Sequence, residues 1–384
     1  MSGALDLHLS DEQRELYERI RALGATVFKP IAAQGEPGRV NRPLIKALAD
    51  HGLLGRLFGA GDQVPAIDLC LIREALARGA GEAETAFALQ GLGAYPIMQA
   101  GSEALAAAWI PGIANGTAVA AFALSEPDAG SDVGALSLEA EPDGDGYLLT
   151  GEKLWISNAP EADIYTVFAR TGEGPRGITA FAVPGDAPGL SGEYKRMLAP
   201  HAIGSLRFEH VPVTGDQILG RPGEGFRVAM RTLDLFRPSV GAFAIGTARY
   251  ALDLAIDHTL ARRTFGRPLK DHQAVAHRLA DLSTITNAAR LLVHQAAAAH
   301  DAGCPDPALA AMAKLLATET AQHAVDAAVQ FHGARALEQG HPLEHLYRDV
   351  RGPRIYEGAS EIQREIIARG LFRTAEQRQA RSEA

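Results

Sequence analysis

Apolar residues recur at helical spacing in the first part of the chain. The segments with this pattern are Glu12 to Val27, Leu44 to Leu54 and Asp68 to Arg78, with Gly and Pro between them. Apolar side chains three and four positions apart predict amphipathic helices. The first part of the chain is therefore predicted to be helical.

A different pattern begins near residue 118, where short apolar runs lie between clusters of Gly, Pro and Asp. The runs are Ala118 to Leu124, Gly146 to Thr150, Ile164 to Ala169, Ile178 to Val183 and Leu206 to Val211. Short runs bounded by turn-forming residues are typical of β-strands. We expect a small antiparallel β domain here.

Long Ala- and Leu-rich stretches return after Pro222-Gly223-Glu224-Gly225, with the spacing of a helical bundle. They are residues 226–260, 272–300, 308–331 and 360–368. The charged tail after residue 374 is expected to fray.

Helices and strands thus occupy separate parts of the chain, which argues against a doubly wound βαβ fold. The predicted fold class is α+β, mainly α. We expect an N-terminal helical domain at residues 1–118, a central β domain at 119–225 and a C-terminal four-helix bundle at 226–384.

Charge and cysteine content narrow the function classes. The 384 residues include 37 basic and 46 acidic residues, a net charge of -9, which does not favour a nucleic-acid surface. Cys70 and Cys304 lie far apart, which fits a reducing compartment, and we expect a cytoplasmic protein. Ser10 and Gln13 have capping-box spacing where a signal peptide would lie, and no apolar run predicts a membrane span.

One acid near the C-terminus, Glu357, lies on a glycine turn between Tyr356 and the start of an amphipathic helix. Burial there would raise its pKa toward neutrality, which suits a base that removes a weakly acidic C–H proton. The alternative interpretation is a surface glutamate at a helix start capped by Ser360.

Two segments of the β region could face a planar or phosphorylated ligand. Phe122 to Asp132 runs from a strand into a turn with Gly130 and Ser131, whose backbone N–H groups could approach a phosphate or a flavin edge. On a strand, Trp155 and Ser157 would share one face. A hairpin connection and a core tryptophan are the alternatives.

The C-terminal helices carry further candidates. Arg262, Arg263 and Arg267 could pair with a pyrophosphate, although a solvated basic surface explains the charges equally well. His341 and His345 have helical spacing, but Pro342 interrupts the turn and no third ligand is signalled, so no metal site is expected.

Taken together and in order, these segments resemble the acyl-CoA dehydrogenase family of flavoproteins, from about residue 10 to residue 372. The resemblance implies an FAD cofactor and an acyl-CoA substrate. It also implies an electron-transfer flavoprotein as partner and a homotetramer built as a dimer of dimers. It implies α,β-dehydrogenation of the thioester to the 2-enoyl-CoA, with hydride transfer to flavin N5. An acyl-CoA oxidase, a member acting on a cyclic or carrier-bound acyl group, and a catalytically silent scaffold are alternatives.

The resemblance also assigns residues, and Glu357 matches the catalytic base. The residues that match cofactor contacts are Phe122, Leu124, Ser125, Gly130, Ser131, Trp155, Ser157, Arg262, Phe265, Gln273, Gln330 and Gly333. The residues that match acyl-CoA contacts are Ser131, Asp234, Arg237, Tyr356 and Gly358. Some relatives carry the base beside the arginine that Arg237 matches, but Leu235 and Phe236 stand there and cannot accept a proton.

The chain departs from the family pattern at three places. The loop from Met197 to Leu206, which contains His201, replaces a Gly-x-x-x-Ser-x-Thr loop. Ala334 follows Gly333 where a second glycine is common, and Ala359 replaces a common threonine. The resemblance places the acyl pocket along residues 89–98 and 235–242, whose apolar character predicts an apolar chain or ring.

Overall fold

The computed structural model describes residue 6, residues 8–58 and residues 64–383. Within these ranges the chain forms two compact units. One unit comprises Met1–Gly24, Pro65–Gly81 and Asp234–Ala384, and the other comprises Ala25–Val64 and Glu82–Leu233. The predicted class, α+β and mainly α with helices before and after a β region, is confirmed. The three domain boundaries stay a prediction.

Among the residues that the structure describes, seven helices precede the β region. They are α1 (Asp11–Leu23), α2 (Lys29–Ala32), α3 (Arg42–Asp50), α4 (Leu53–Leu57), α5 (Ala66–Ala77), α6 (Gly81–Ala100) and α7 (Glu103–Ala114), with a π-helical turn at Gly24–Phe28 after α1. The predicted capping box at the start of α1 is confirmed, because Ser10 accepts from the Gln13 amide and Gln13 accepts from the Ser10 amide.

The β region forms an eight-stranded sheet. Its strands are β1 (Ala120–Ala123), β2 (Glu139–Asp143), β3 (Gly146–Ser157), β4 (Ile164–Arg170), β5 (Ile178–Pro184), β6 (Leu190–Tyr194), β7 (Ile203–Val213) and β8 (Ile218–Leu219). The order is β6-β7-β3-β2-β4-β5-β8, with β1 paired to β4. The core on its buried side includes Phe168 and Leu136. This core also contains side chains of α6 and of residues 226–230, at the start of the helix that follows the sheet.

The sheet differs from the expected purely antiparallel arrangement. Strand β1 pairs with β4 in parallel, as β2 does at its first residue, and the other pairings are antiparallel. Strands β2 and β6 were not predicted, because their side chains are mostly polar and exposed and carry no apolar alternation. The sheet is therefore mixed.

Five helices follow the sheet: α8 (Gly225–Ala261), α9 (Gln273–Asp301), α10 (Pro307–His332), α11 (Pro342–Asp349) and α12 (Ser360–Glu383). A two-stranded hairpin, β9 (Arg263–Thr264) and β10 (Arg267–Pro268), separates α8 from α9. Helix α12 continues through the charged residues to Glu383, and the expected fraying of the tail stays a prediction. Among the described residues, no helix combines the length and apolarity that a membrane span needs.

A buried carboxylate links α5 to the C-terminal helices of its unit. Glu74 is fully buried, and both of its oxygens lie 2.8 Å from Arg290 Nε, while Arg249 Nη1 lies 2.5 Å from Oε1. Burial alone would raise the pKa of Glu74, but Arg290, His294 and Arg249 outweigh it and hold that pKa well below its usual range. The carboxylate therefore stays charged inside the unit.

Helix α8 approaches α5 closely at Gly246. A Cβ atom there would overlap the Glu74 carbonyl oxygen and lie 2.7 Å from Ala77 Cβ. Only glycine permits this approach of two backbones.

We expect Gly246→Ala to destabilise the protein by about 1–3 kcal/mol, because the added methyl group overpacks the α5–α8 contact. The matched control is Gly55→Ala in α4, where an added Cβ meets no atom within 4 Å. There, the gain in helix propensity should stabilise by about 0.5–1 kcal/mol. Urea denaturation followed by circular dichroism measures both, and equal midpoints for the two variants would contradict the prediction.

Candidate active site

The Glu357 turn lies between a 3₁₀ turn at Gly352–Arg354 and helix α12. Glu357 has φ of 51° and Gly358 has φ of 90°, so two consecutive residues adopt the left-handed region. This conformation suits glycine but is unfavourable for glutamate. The turn therefore holds Glu357 in a backbone conformation that its surroundings must stabilise.

The Glu357 carboxyl group is withdrawn from water. Its Oε2 atom is buried and has no hydrogen-bond partner among the described residues, although other atoms of the residue are partly exposed. Burial raises the pKa of this carboxyl, and Arg73, Lys314 and Arg237 oppose the rise. The alternative interpretation as an ordinary surface charge is therefore not supported. Ser360 donates its hydroxyl to Glu319 Oε1 at 2.7 Å, and is itself the first residue of α12.

Three buried cations act electrostatically on this carboxyl and oppose the rise of its pKa. Arg73 on α5 is 3% exposed and donates to Ser239 Oγ at 2.7 Å. Lys314 on α10 is fully buried, and burial lowers its pKa to about 8. Arg237 on α8 is 6% exposed and pairs with Asp234 at 2.8 Å, with its Nε atom left unpartnered in the described structure.

The two predicted substrate residues on α8 thus form an ion pair beside the Glu357 carboxyl. Burial raises the pKa of Asp234, and Arg237 counteracts it. Tyr356 is 43% exposed, so its ring is available to a ligand. The structure brings together Glu357, Tyr356, Gly358 and Arg237 in one unit.

The other unit presents Trp155 from strand β3. The side chain is 49% exposed, its φ is 57°, and the β3–β7 register shifts between Lys153 and Ile156. The irregularity breaks the simple alternation on which we predicted a shared face for Trp155 and Ser157. It turns a large indole toward solvent instead of the core.

Ser157 follows at the end of β3 and contacts the loop that departs from the family pattern. Its Oγ atom lies 2.8 Å from His201 Nε2. The structure therefore gives His201 a hydroxyl partner on the same strand as Trp155.

A buried ion pair supports the turn between β1 and β2. Glu126 Oε1 lies 2.7 Å from Lys153 Nζ, and both side chains are excluded from water. Glu126 also accepts from the Leu138 amide at 3.0 Å, and Lys153 donates to the Leu124 carbonyl at 3.0 Å. Burial lowers the pKa of Lys153 to about 8, although Glu126 opposes this. Burial would raise the pKa of Glu126, but the pair with Lys153 outweighs it and holds that pKa below its usual range.

The predicted cofactor residues on this turn divide into packed and open positions. The side chains of Phe122 and Leu124 pack against the core of the unit, so only their main chain could meet a ligand. Ser125 accepts from the Leu154 amide at 3.0 Å through its carbonyl. Gly130 and Ser131 are exposed, and a Cβ at Gly130 would meet no atom within 4 Å.

The remaining predicted cofactor residues lie on exposed ends of the C-terminal helices. Arg262 directly follows α8, and Phe265 at the tip of the β9–β10 hairpin is 97% exposed with φ of 48°. Gln273 begins α9. Gln330 is exposed in the last turn of α10, and Gly333 ends that helix with φ of 64°.

Sequence reasoning missed four charged residues of these sites: Arg73, Glu126, Lys153 and Lys314. Arg73 and Lys314 do carry a signal, because each is a cation inside a run of buried apolar residues. A cation at such a position needs a partner from elsewhere in the fold. Its identity could not be read from local spacing.

No metal site accompanies these groups in the part of the chain that the structure describes. His345 Nδ1 lies 2.9 Å from Asp349, and His341 Nδ1 accepts from the Leu343 amide. Both histidines therefore have ordinary polar partners.

Three family models match nearly the whole chain. They describe the acyl-CoA dehydrogenase N-terminal domain at residues 10–117, the middle domain at 121–211 and the C-terminal domain at 223–372. Cyclohexane-1-carbonyl-CoA dehydrogenase from Geobacter metallireducens is 36% identical over 375 residues, which cover 95% of this chain and 99% of the relative.

Solved structures are similar along the same length. A chain from the structure described as "Electron transferring flavoprotein of Acidaminococcus fermentans" has a TM-score of 0.90 and 32% identity, and the match covers 96% of this chain and 100% of that one. Glutaryl-CoA dehydrogenase from Mycobacterium smegmatis in complex with FADH2 has a TM-score of 0.88 and 26% identity, with 96% of each chain covered.

The buried Glu126–Lys153 pair yields a stability prediction. We expect Lys153→Met and Glu126→Gln each to destabilise by about 3 kcal/mol, because each leaves one charged group buried without its partner. The double variant should lose clearly less than the sum, as coupled neighbours do.

The matched control is the exposed pair Arg207–Glu209 on β7, whose side chains are 64% and 62% exposed. Arg207→Met should change stability by less than about 1 kcal/mol. Chemical denaturation of the four variants measures these effects, and strictly additive losses at Glu126 and Lys153 would refute the coupling.

Proposed function

The chain belongs to the acyl-CoA dehydrogenase family, and on this premise we propose that Glu357 is the base of its reaction. It is an FAD-dependent oxidoreductase that dehydrogenates an acyl-CoA thioester. The single observation that carries the proposed role is the buried Glu357 Oε2, which has no hydrogen-bond partner among the described residues.

The residues present fit an FAD cofactor. Trp155 offers a half-exposed indole, and the Gly130 turn leaves open space where any other residue would place a Cβ. We propose that these two, with Ser131 and Ser157, hold the flavin part of one FAD, and that Gln330 and Gly333 contact the adenosine pyrophosphate of the FAD bound by a neighbouring subunit. Bound FAD supplies the redox chemistry by accepting a hydride equivalent from the β carbon of the substrate.

The protein's own contribution is proton transfer and alignment. Glu357 accepts the α proton of the thioester, and its raised pKa matches it to a weakly acidic C–H group better than an exposed glutamate would be. We propose that the Glu357 main-chain N–H donates to the thioester carbonyl and stabilises the developing negative charge. Arg237 and Asp234 lie beside this group as acyl-CoA contacts.

The acyl group is proposed to be apolar. Residues 89–98 are largely buried and apolar, which fits an alkyl chain or ring. The similarity to a cyclohexane-1-carbonyl-CoA dehydrogenase makes a cyclic acyl group a specific candidate. Anaerobic titration with straight-chain, branched and cyclic acyl-CoA thioesters, read as loss of flavin absorbance, identifies the preferred class.

Partners and assembly are also proposed. An electron-transfer flavoprotein is the proposed electron acceptor, supported by the similarity to a chain from a structure described by that name. Rapid reoxidation by air instead would favour an oxidase. We propose a homotetramer in which Arg262, Phe265 and Gln273 reach the FAD of a neighbouring subunit, and the exposed Phe265 ring supports such a contact between subunits. A cytoplasmic location is proposed from the cysteine usage alone. Sedimentation analysis tests the assembly.

We expect Glu357→Gln to retain FAD but to lose reduction of the flavin by acyl-CoA by a factor of about 1,000 or more, because a neutral amide cannot accept the α proton. The control is Glu361→Gln, one turn later, whose side chain is 78% exposed. This variant should be reduced at the wild-type rate. Anaerobic stopped-flow absorbance measures both, and near wild-type reduction of Glu357→Gln would remove Glu357 from its role.

The raised pKa of Glu357 predicts the pH dependence. Since only the ionised carboxylate accepts a proton, the rate of flavin reduction should fall as the pH decreases through the pKa of Glu357. Its midpoint should lie above the ordinary value of 4.5 because burial disfavours the charged form. Single-turnover rates from pH 4 to 9 measure this limb, and a midpoint at or below 4.5 would contradict the expected rise.

A further inference from the structure

Helix α10 carries a buried lysine where its surroundings are otherwise small and apolar. Lys314 is fully buried, and its neighbours one turn away on the same helix face include the buried Ala310, Ala311 and Ala317. Burying an ammonium group is costly unless strong acceptors compensate it. The small alanine side chains leave room for the long lysine stem, and its ammonium group reaches beyond the helix.

The acceptors of this ammonium group are the two carbonyls that flank Glu357. Lys314 Nζ donates to the Tyr356 carbonyl at 3.1 Å and to the Gly358 carbonyl at 2.6 Å. Gln363 Nε2 donates to the same Gly358 carbonyl at 2.9 Å. Charge-assisted bonds of this kind are stronger than neutral ones.

These bonds span the residue whose backbone most needs support. Glu357 has φ of 51°, which a non-glycine residue keeps only when neighbouring contacts fix it. The Tyr356 carbonyl belongs to the peptide plane that precedes Glu357, and the Gly358 carbonyl belongs to the plane that follows Gly358. The two bonds therefore fix the backbone on both sides of the Glu357–Gly358 peptide, and the direction of the Glu357 side chain depends on that backbone.

We propose that Lys314 is the positioning residue of the Glu357 base, holding the turn from Tyr356 to Gly358 in the conformation that aims the carboxyl group. The inference rests on the proposed role of Glu357. Lys314 acts through the backbone and touches neither substrate nor cofactor in this role.

The charge of Lys314 has a second, separable effect. Arg73, Lys314 and Arg237 lower the pKa of Glu357 against burial, and Lys314 itself faces Glu357, Arg237, Glu319 and Glu361. Removing its charge should raise the pKa of Glu357 further. The acid limb of the pH profile then moves to higher pH, whereas the plateau rate above that limb, taken below the Lys314 pKa of about 8, reports the geometry alone.

Two variants separate the two effects. Lys314→Met keeps a similar length but removes both the donors and the charge. Lys314→Gln removes the charge but keeps neutral N–H donors. FAD-loaded wild-type protein, both variants and Glu357→Gln are compared by anaerobic stopped-flow reduction with an acyl-CoA that reduces the wild type, from pH 5 to 9.

For Lys314→Met we expect the plateau rate to fall about 100-fold, as a misplaced catalytic group does, with acyl-CoA affinity changed by less than about threefold. Lys314→Gln should retain a larger share of the plateau rate, and both acid limbs should move to higher pH. Amide hydrogen exchange across residues 355–363, measured without substrate, should be faster in Lys314→Met and intermediate in Lys314→Gln.

A plateau rate within about threefold of wild type together with unchanged exchange in Lys314→Met would overturn the inference. If that variant does not fold, Lys314→Gln decides by the same two measurements, and failure of both to fold assigns Lys314 a purely structural role. If acyl-CoA reduces the wild type, Glu357→Gln is inactive and Lys314→Met is fully active, only the positioning role of Lys314 is refuted. A wild type that no acyl-CoA reduces, or a fully active Glu357→Gln, sinks the proposed function instead.

Discussion

The structure around the proposed base depends on keeping one carboxyl group out of water without leaving it unreactive. Burial raises the pKa of Glu357, and Arg73, Lys314 and Arg237 limit that rise. If burial acted alone, the carboxyl would stay protonated and could accept nothing. If the cations acted without burial, it would be a weak base. The balance explains why three buried cations from α5, α8 and α10 converge on one glycine turn.

The same physical device occurs in each of the two units. Lys153 and Lys314 are both fully buried, and burial lowers the pKa of each to about 8. Each donates to a backbone carbonyl of a site segment, Lys153 to Leu124 at 3.0 Å and Lys314 to Gly358 at 2.6 Å. A lysine can reach across a helix or sheet to such a carbonyl because its stem is long and its ammonium has three donors. In each case a lysine on a strand or helix fixes the carbonyl of a neighbouring segment that has no regular secondary structure.

Local pattern predicted the helical character of both ends of the chain and five of the strands, and it indicated a Glu357 that could be buried, because these follow from spacing, turn chemistry and neighbouring apolar residues. It missed β2, whose side chains are exposed at four of five positions. It also missed the partners of Lys314, which lie 42 and 44 residues away along the chain. Spacing reports which face a residue occupies, whereas its partner depends on tertiary packing. The parallel pairing of β1 with β4 is likewise a tertiary outcome, since β2 and β3 intervene between them in the chain.

Two exposed aromatic side chains are available for contacts outside the single chain. Trp155 is 49% exposed and Phe265 is 97% exposed, and both have positive φ at an irregular strand and a hairpin tip. An exposed ring gains no burial energy, and a left-handed backbone adds strain, so each position is unfavourable by itself. Phe265 is also fixed between two short paired strands, which presents the ring outward as a rigid projection. When a planar ligand or a second subunit covers such a ring, burial of the ring stabilises the complex. The proposed flavin contact of Trp155 and the proposed homotetramer contact of Phe265 therefore have the same physical cause.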